Sequence, residues 1–76
     1  MAEVIQQRSS FIAETTYYTN PEDEFEPEDL VVEFTDGARW VYHNVRRGAY
    51  VSLITSASCG KAFHRLIKDR YDGEPL

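Results

Sequence analysis

Residues 30–42 limit what this chain can fold into more than any other stretch. Two runs of β-branched and aromatic residues, 30–34 and 38–42, flank an Asp36-Gly37 pair. Gly accepts the positive φ angle that a tight turn requires, so this pattern predicts an antiparallel hairpin. One face of such a hairpin must be covered by another apolar layer.

The length of the hairpin loop decides which side chains face that layer. A two-residue loop pairs Phe34 with Arg39 and turns Trp40 away from Phe34, whereas a three-residue loop with Gly37 in a bulge position pairs Phe34 with Ala38. We prefer the three-residue loop because it gives a wholly apolar face of even-numbered residues: Leu30, Val32, Phe34, Ala38, Trp40 and Tyr42. The other face then gains complementary pairs: Glu33 with Arg39, Val31 with Val41, and Asp29 with His43.

The remaining segments predict one more strand and two helices. Residues 11–18 are rich in β-branched and aromatic side chains and end at a turn cluster, which is typical of a strand. Apolar residues then recur at helical spacing in two stretches. The first helix, from about Arg47 to Ala57, has an apolar face of Tyr50, Leu53, Ile54 and Ala57. The second, capped by Ser58 and beginning near Gly60, has a face of Phe63, Leu66, Ile67 and either Tyr71 or Arg70.

This order of elements predicts the fold class. Strands followed by helices are typical of an α+β domain. We expect a small three-stranded antiparallel sheet followed by a two-helix hairpin packed on one face, as a single domain over residues 9–72. Residues 1–8 are expected to be a loosely ordered lead-in, with pairing of Val4 and Ile5 at a sheet edge as the alternative. Residues 20–29 are expected to be an acidic loop and residues 73–76 a tail.

Size and cysteine usage exclude several classes of function. A chain of 76 residues, 42% of them hydrophobic, has room for one small core, which argues against a buried active site. Cys59 is the lone cysteine, so neither an intramolecular disulfide nor a Cys-x-x-Cys zinc site can form. We expect no metal, no cofactor and no enzymatic activity. The sequence shows neither an export signal nor a membrane span, which predicts a cytoplasmic protein.

The charge is unevenly distributed along the chain. Residues 1–36 contain ten acidic residues and one basic residue, a net charge of −9, whereas residues 37–76 contain seven basic and three acidic residues, a net charge of +4. The total of −5 opposes a polyanion at long range, although a local cationic surface can still attract one. Asymmetry of this kind points to the chemistry of partners.

Several short motifs lie at a spacing known from one protein family. They include Leu30-x-Val32-x-Phe34, Asp36-Gly37, Trp40-x-Tyr42, Ser58-x-Gly60-Lys61-x-Phe63 and Ile67-Lys68. Over about residues 9–71 the chain resembles the KTSC domain, a short domain named after the C-terminal extension of some lysyl-tRNA synthetases. Trp40 stands where that family has a Tyr. The resemblance implies no assigned function, and the synthetase context suggests RNA as a partner.

Basic residues supply the main candidate binding site. Lys61, Arg65 and Lys68 lie at helical spacing, Arg46 and Arg47 begin the preceding helix, and free N–H groups near Ser58 would favour an anion. These five cations predict binding of RNA or nucleotide phosphate. Trp40 and Tyr42 are candidates for stacking on bases, although the preferred hairpin register directs both rings into the core.

The acidic loop supports a rival interpretation. Phe25, framed by Glu24 and Glu26, has the composition of an anchor for a basic protein surface. The alternative is therefore a protein-interaction or inhibitory module, of the kind that small bacterial or phage proteins often are, which uses this loop or a sheet edge for a host protein, a cognate protein or a second copy.

Overall fold

The structure is a computed structural model that describes residues 2–7, 11–19, 22 and 27–76. In these described residues, five strands and two helical segments follow one another. The strands are β1 (Ala2–Gln6), β2 (Ile12–Tyr18), β3 (Glu28–Phe34), β4 (Arg39–Val45) and β5 (Gly73–Pro75). Between β4 and β5 lie α1 (Arg47–Thr55) and α2 (Cys59–Phe63), and α2 continues into a π-helical turn (His64–Lys68).

The strands form one antiparallel sheet in the order β1-β2-β3-β4-β5. The α+β class is confirmed, but the expected three-stranded sheet is wrong because the sheet has five strands. The lead-in segment supplies β1, in which Val4 pairs with Thr16, and the expected tail supplies β5, in which Glu74 pairs with Val41. Both segments are too short to show a strand pattern alone and gain their structure by pairing with a neighbour. The expected acidic loop is also shorter, since β3 already begins at Glu28.

The hairpin between β3 and β4 has the preferred register. Val32 pairs with Trp40 and Leu30 with Tyr42, which confirms the three-residue loop. The Gly37 N–H donates to the Phe34 carbonyl at 3.0 Å, and Gly37 adopts a φ of +92°, which explains why this position favours glycine. The expected contact of Asp29 with His43 is also present, at 3.1 Å between Oδ1 and Nδ1.

The helices pack on one face of the sheet and close a single core. Tyr50 and Leu53 of α1, Phe63 of α2 and Ile67 of the π-helical turn are buried against sheet residues such as Leu30. Each such side chain contributes about 1.5–3 kcal/mol on full burial. Across this core the Tyr17 and Tyr50 rings stack with centroids 4.4 Å apart.

Both helices differ in detail from the predicted ones. The first ends at Thr55, and the exposed Ala57 lies beyond it because Ser56 already adopts an extended backbone conformation. Ser58 is the N-cap residue of α2, but its side chain makes no capping hydrogen bond. Among the described residues, no helix combines the length and the apolar character that crossing a membrane requires.

Candidate functional site

An aromatic groove lies where the β3–β4 hairpin extends past the helices. Its aromatic lining comes from separate parts of the chain: Phe11 before β2, Phe34 at the end of β3, Trp40 in β4 and Phe63 in α2. The groove encloses about 340 Å³, and a second hollow of about 290 Å³ next to it shares Phe11, Phe34 and Trp40. We call the larger hollow the aromatic groove.

Buried rings form the floor of the aromatic groove and partly exposed rings form its walls. Phe63 is 1% exposed and meets the rings of Phe34 and Tyr42 edge-on, with centroids 5.5 Å apart in both pairs. Trp40 and Phe34 are only half-buried, and Ala38, which lies between them on the same face, is exposed, so the helices do not cover this end of the hairpin. Their rings therefore offer apolar surface to a ligand, on a floor that core packing holds in place.

The π-helical turn and the residue that follows it supply a polar rim. His64, Lys68 and Asp69 all line the aromatic groove. In a π-helix each turn takes more residues than in an α-helix, so His64 and Lys68, four positions apart, come to lie near the same side. The His64 ring stacks on Phe11, with centroids 5.4 Å apart and planes 24° apart. This local geometry puts an imidazole, an ammonium and a carboxylate beside the aromatic walls.

The charged side chains at the rim of the aromatic groove are unpaired. Within the described part of the chain, neither Lys68 nor Asp69 makes an ion pair or a side-chain hydrogen bond. Within the same residues, the other cations of the helical layer make no ion pair either. They are Arg46, Arg47, Lys61, Arg65 and Arg70. Unpaired charges at a surface remain available to a ligand.

The predicted basic residues are spread over the helical layer. Lys61, Arg65 and Lys68 are exposed at spacings of four and three residues along the second helical segment, and Lys68 reaches the aromatic groove. Arg46 and Arg47 stand at the start of α1 and do not line the groove. The Arg46 N–H lies 3.5 Å from the Tyr71 hydroxyl oxygen, which connects this end of α1 to the end of the second helical segment.

The two candidate stacking residues have different environments. Tyr42 is 5% exposed and belongs to the core, as the preferred register implied. Trp40 lines the groove with part of its ring exposed. The sequence analysis did not identify Phe11, His64 or Asp69 as site residues, because only the packing shows where the helices end over the sheet. The docking residues Phe25, Glu24 and Glu26 lie outside the described residues.

The cysteine and the histidine outside the aromatic groove, Cys59 and His43, lie in surroundings that favour a structural role. Burial raises the pKa of the Cys59 thiol, which is the reverse of the thiolate stabilisation that a helix N-terminus could give. On the face of the sheet away from the helices, hydrogen bonds to Glu74 and, with a smaller effect, to Asp29 raise the pKa of His43. In the described residues, no three His, Cys, Asp or Glu side chains come together as metal ligands would.

Comparison with known proteins assigns the chain to a family. Residues 8–71 match the KTSC domain. The fold is similar to that in the crystal structure of a KTSC domain protein from Yersinia pestis, with a TM-score of 0.80 at 18% identity over 100% of this chain and 99% of that chain. No curated protein matches the chain. Since the family match spans most of the sequence, the chain belongs to the KTSC domain family.

Proposed function

We propose that this protein is a small non-enzymatic module that binds single-stranded RNA. One observation carries the proposal: the half-buried Trp40 faces a groove whose rim holds the unpaired Lys68. A base stacks in the aromatic groove, and the adjoining phosphates lie along the exposed cations of the second helical segment. Single-stranded RNA suits such a site because its unstacked bases can be inserted between protein rings.

The dimensions of the groove agree with a nucleobase as ligand. Small-molecule sites usually enclose about 300–1,000 Å³, so a volume of about 340 Å³ fits a small, flat group. Stacking of one base on an aromatic ring contributes about 1–3 kcal/mol. The ring of Trp40 and that of Phe34 supply the walls for one base.

The cations make the binding dependent on salt. If Lys61, Arg65 and Lys68 each neutralise one phosphate, the logarithm of the affinity falls with the logarithm of the salt concentration with a slope of about −2. The total charge of −5 repels RNA at long range. We therefore expect weak binding that needs both stacking and direct phosphate contacts.

Absence of enzymatic activity is part of the proposal. Its support is that Cys59, the strongest nucleophile by type, is buried with a raised pKa. His64 stacks on Phe11, and no described nucleophile donates a hydrogen bond to it. A nucleophile without a base at hydrogen-bond distance lacks the arrangement that covalent catalysis uses.

Trp40 is the sole tryptophan, so its fluorescence reports on the groove. Titration with a mixed-sequence RNA heptamer should quench this emission, and higher salt should weaken the binding. Lys68→Ala should reduce the salt slope by about 0.7. Arg39→Ala is the matched control because it removes one cation from the opposite face of the sheet, where Arg39 pairs with Glu33. Absence of quenching, or equal behaviour of the two variants, would overturn the proposal.

A second candidate function is protein interaction through a sheet edge. Strand β1 is the last strand on its side of the sheet, and its Val4 is 56% exposed. An exposed edge strand can pair with a strand of another chain. If a second copy pairs there, the sedimentation coefficient should rise with protein concentration and the Val4→Lys variant should stay monomeric. A wild-type chain that sediments as a monomer at every concentration would exclude pairing between copies.

A further inference from the structure

We infer that the aromatic groove selects guanine, with the Asp69 carboxylate accepting hydrogen bonds from the Watson–Crick edge of the base. The Lys68 ammonium, which has three N–H donors, donates both to guanine O6 and to the adjoining phosphate. This inference rests on the proposed binding of single-stranded RNA and names the base that the groove takes. It assigns to Asp69 the recognition of the base. Phosphate binding by the basic residues alone does not explain a carboxylate at this rim.

The position of Asp69 is the first argument. A carboxylate on a surface that binds phosphates weakens the binding through repulsion between like charges. Asp69 nevertheless lines the aromatic groove directly beside Lys68. Within the described residues its carboxylate has neither an ion-pair nor a hydrogen-bond partner, so it does not stabilise the fold by a polar contact. A ligand group that donates hydrogen bonds would remove the repulsion.

The chemistry of the four bases is the second argument. An ionised carboxylate has two acceptor oxygens and no donor. Guanine presents two adjacent donors, N1–H and the 2-amino group, next to the O6 acceptor. Adenine and cytosine each present one amino group next to a ring-nitrogen acceptor, and uracil presents a single N–H between two carbonyls. Guanine is thus the base whose edge offers a bidentate contact to a carboxylate with an acceptor left for a cation.

The order of groups in the groove is the third argument. A base stacked on a ring presents its edge in the plane of stacking, toward the polar rim. Trp40 and Phe34 form the walls, and two consecutive residues lie at the rim: Lys68, the last residue of the π-helical turn, and Asp69, which directly follows it. The two acceptor oxygens of Asp69 therefore lie next to the donor ammonium of Lys68. This order complements the edge of guanine, in which two donors lie next to the O6 acceptor.

The test compares three heptamers that differ in the central base, UUUGUUU, UUUAUUU and UUUIUUU, by quenching of Trp40 fluorescence. Inosine retains N1–H and O6 but lacks the 2-amino group. We expect the guanine heptamer to bind at least about fivefold more tightly than the adenine heptamer, the lower end of what a good bidentate contact provides. The inosine heptamer should fall between them.

Asp69→Asn should abolish the preference for guanine while leaving binding of the adenine heptamer equal or tighter, because a repulsive charge is removed. Asp72→Asn is the matched control, since it removes a nearby exposed carboxylate that does not line the groove. Equal binding of guanine and adenine by the wild type, or an unchanged preference in Asp69→Asn, overturns the guanine inference alone. If no heptamer binds, the proposed RNA function fails as well.

Discussion

The two faces of the sheet differ in whether their charged side chains are paired. On the outer face, away from the helices, the side chains pair with one another: Glu33 with Arg39 at 3.7 Å, and His43 with Asp29 at 3.1 Å and with Glu74 at 2.8 Å. At the aromatic groove, Lys68 and Asp69 are unpaired within the described part of the chain. Polar groups that satisfy one another hold strands together, whereas the unpaired ones are free to meet a ligand.

Apolar side chains on the two faces show the same contrast. Val31 and Val41 on the outer face are only 6% and 8% exposed although the helices lie on the other side. Val41 is flanked by Arg39 and His43 on its own strand, and the stems of long polar side chains can cover such neighbours. Trp40 stays half-buried although it belongs to the face that the helices cover. Incomplete cover at one end of the helical layer thus creates the groove.

Removal of the groove floor should give the largest difference between the two faces. Phe63→Ala deletes a ring that is 1% exposed, and we expect a loss of about 3–5 kcal/mol in the free energy of unfolding. Val41→Ala on the outer face should cost about 1–2 kcal/mol. Urea unfolding followed by circular dichroism measures both. Equal losses would mean that the two faces contribute alike to the core.

A substitution at Gly73 tests the packing at the border of the groove. A Cβ atom added there would come within 2.7 Å of Tyr42 Cδ1, and the Tyr42 ring is buried and cannot move away. Gly73→Ala should therefore destabilise the protein by about 1–3 kcal/mol through overpacking, detach β5 and shift the Trp40 emission to longer wavelength.

Gly48 provides the control for that substitution. Apart from its chain neighbours and the backbone of α1, no atom lies within 4 Å of a Cβ added at Gly48. Gly48→Ala should leave the emission unchanged and raise the free energy of unfolding by about 0.4–1 kcal/mol, because the unfolded chain loses freedom. A Gly73→Ala variant as stable as Gly48→Ala would contradict the close packing of β5 on Tyr42.

The histidine on the outer face should make stability depend on pH. Donation to both Asp29 and Glu74 requires the doubly protonated ring, and these hydrogen bonds raise the pKa of His43 in the folded state. The stabilisation is complete below the unfolded pKa of about 6.5 and is lost as the pH rises through the folded value. Urea midpoints at pH 6 and pH 8.5 should therefore differ less in His43→Gln than in the wild type. A pH difference in His43→Gln as large as that in the wild type would contradict the pairing of His43.

The smallest effect belongs to the ion pair of Glu33 with Arg39. Both side chains are well exposed, at 39% and 51%, so a double-mutant cycle with alanine should give a coupling of about 0.2–1 kcal/mol. RNA binding should not change in any of the variants. Weaker RNA binding by Glu33→Ala/Arg39→Ala would show that the outer face takes part in the site.

The centre of the fold could be predicted from the sequence because its patterns are strong and local. Alternation around Asp36-Gly37 specified the register of β3 and β4, and helical spacing identified Tyr50, Leu53 and Ile67 as buried. The edge strands were missed for a physical reason. Strand β5 has three residues, one of them Pro75, and forms only because β4 offers it a partner.

The candidate site was predictable only in part. Helical spacing placed Lys61, Arg65 and Lys68 on the exposed side of the second helical segment, and the hairpin pattern drew attention to Trp40. Sequence patterns identify faces but do not tell how far one layer extends over another. Phe11, Phe34 and Asp69 line one groove because of where the helices end and because α2 continues into a π-helical turn. The spacing of apolar residues does not predict such a turn.

The most direct test of the account is to map RNA binding onto the two faces by NMR. With an RNA heptamer added, the indole N–H resonance of Trp40 and the ring resonances of Phe34 should shift progressively, while the methyl resonances of Val31 and Val41 on the outer face should stay in place. Shifts of the Val31 and Val41 methyl groups with an unchanged Trp40 indole would contradict the central claim, because binding would then occur on the face whose charges are already paired.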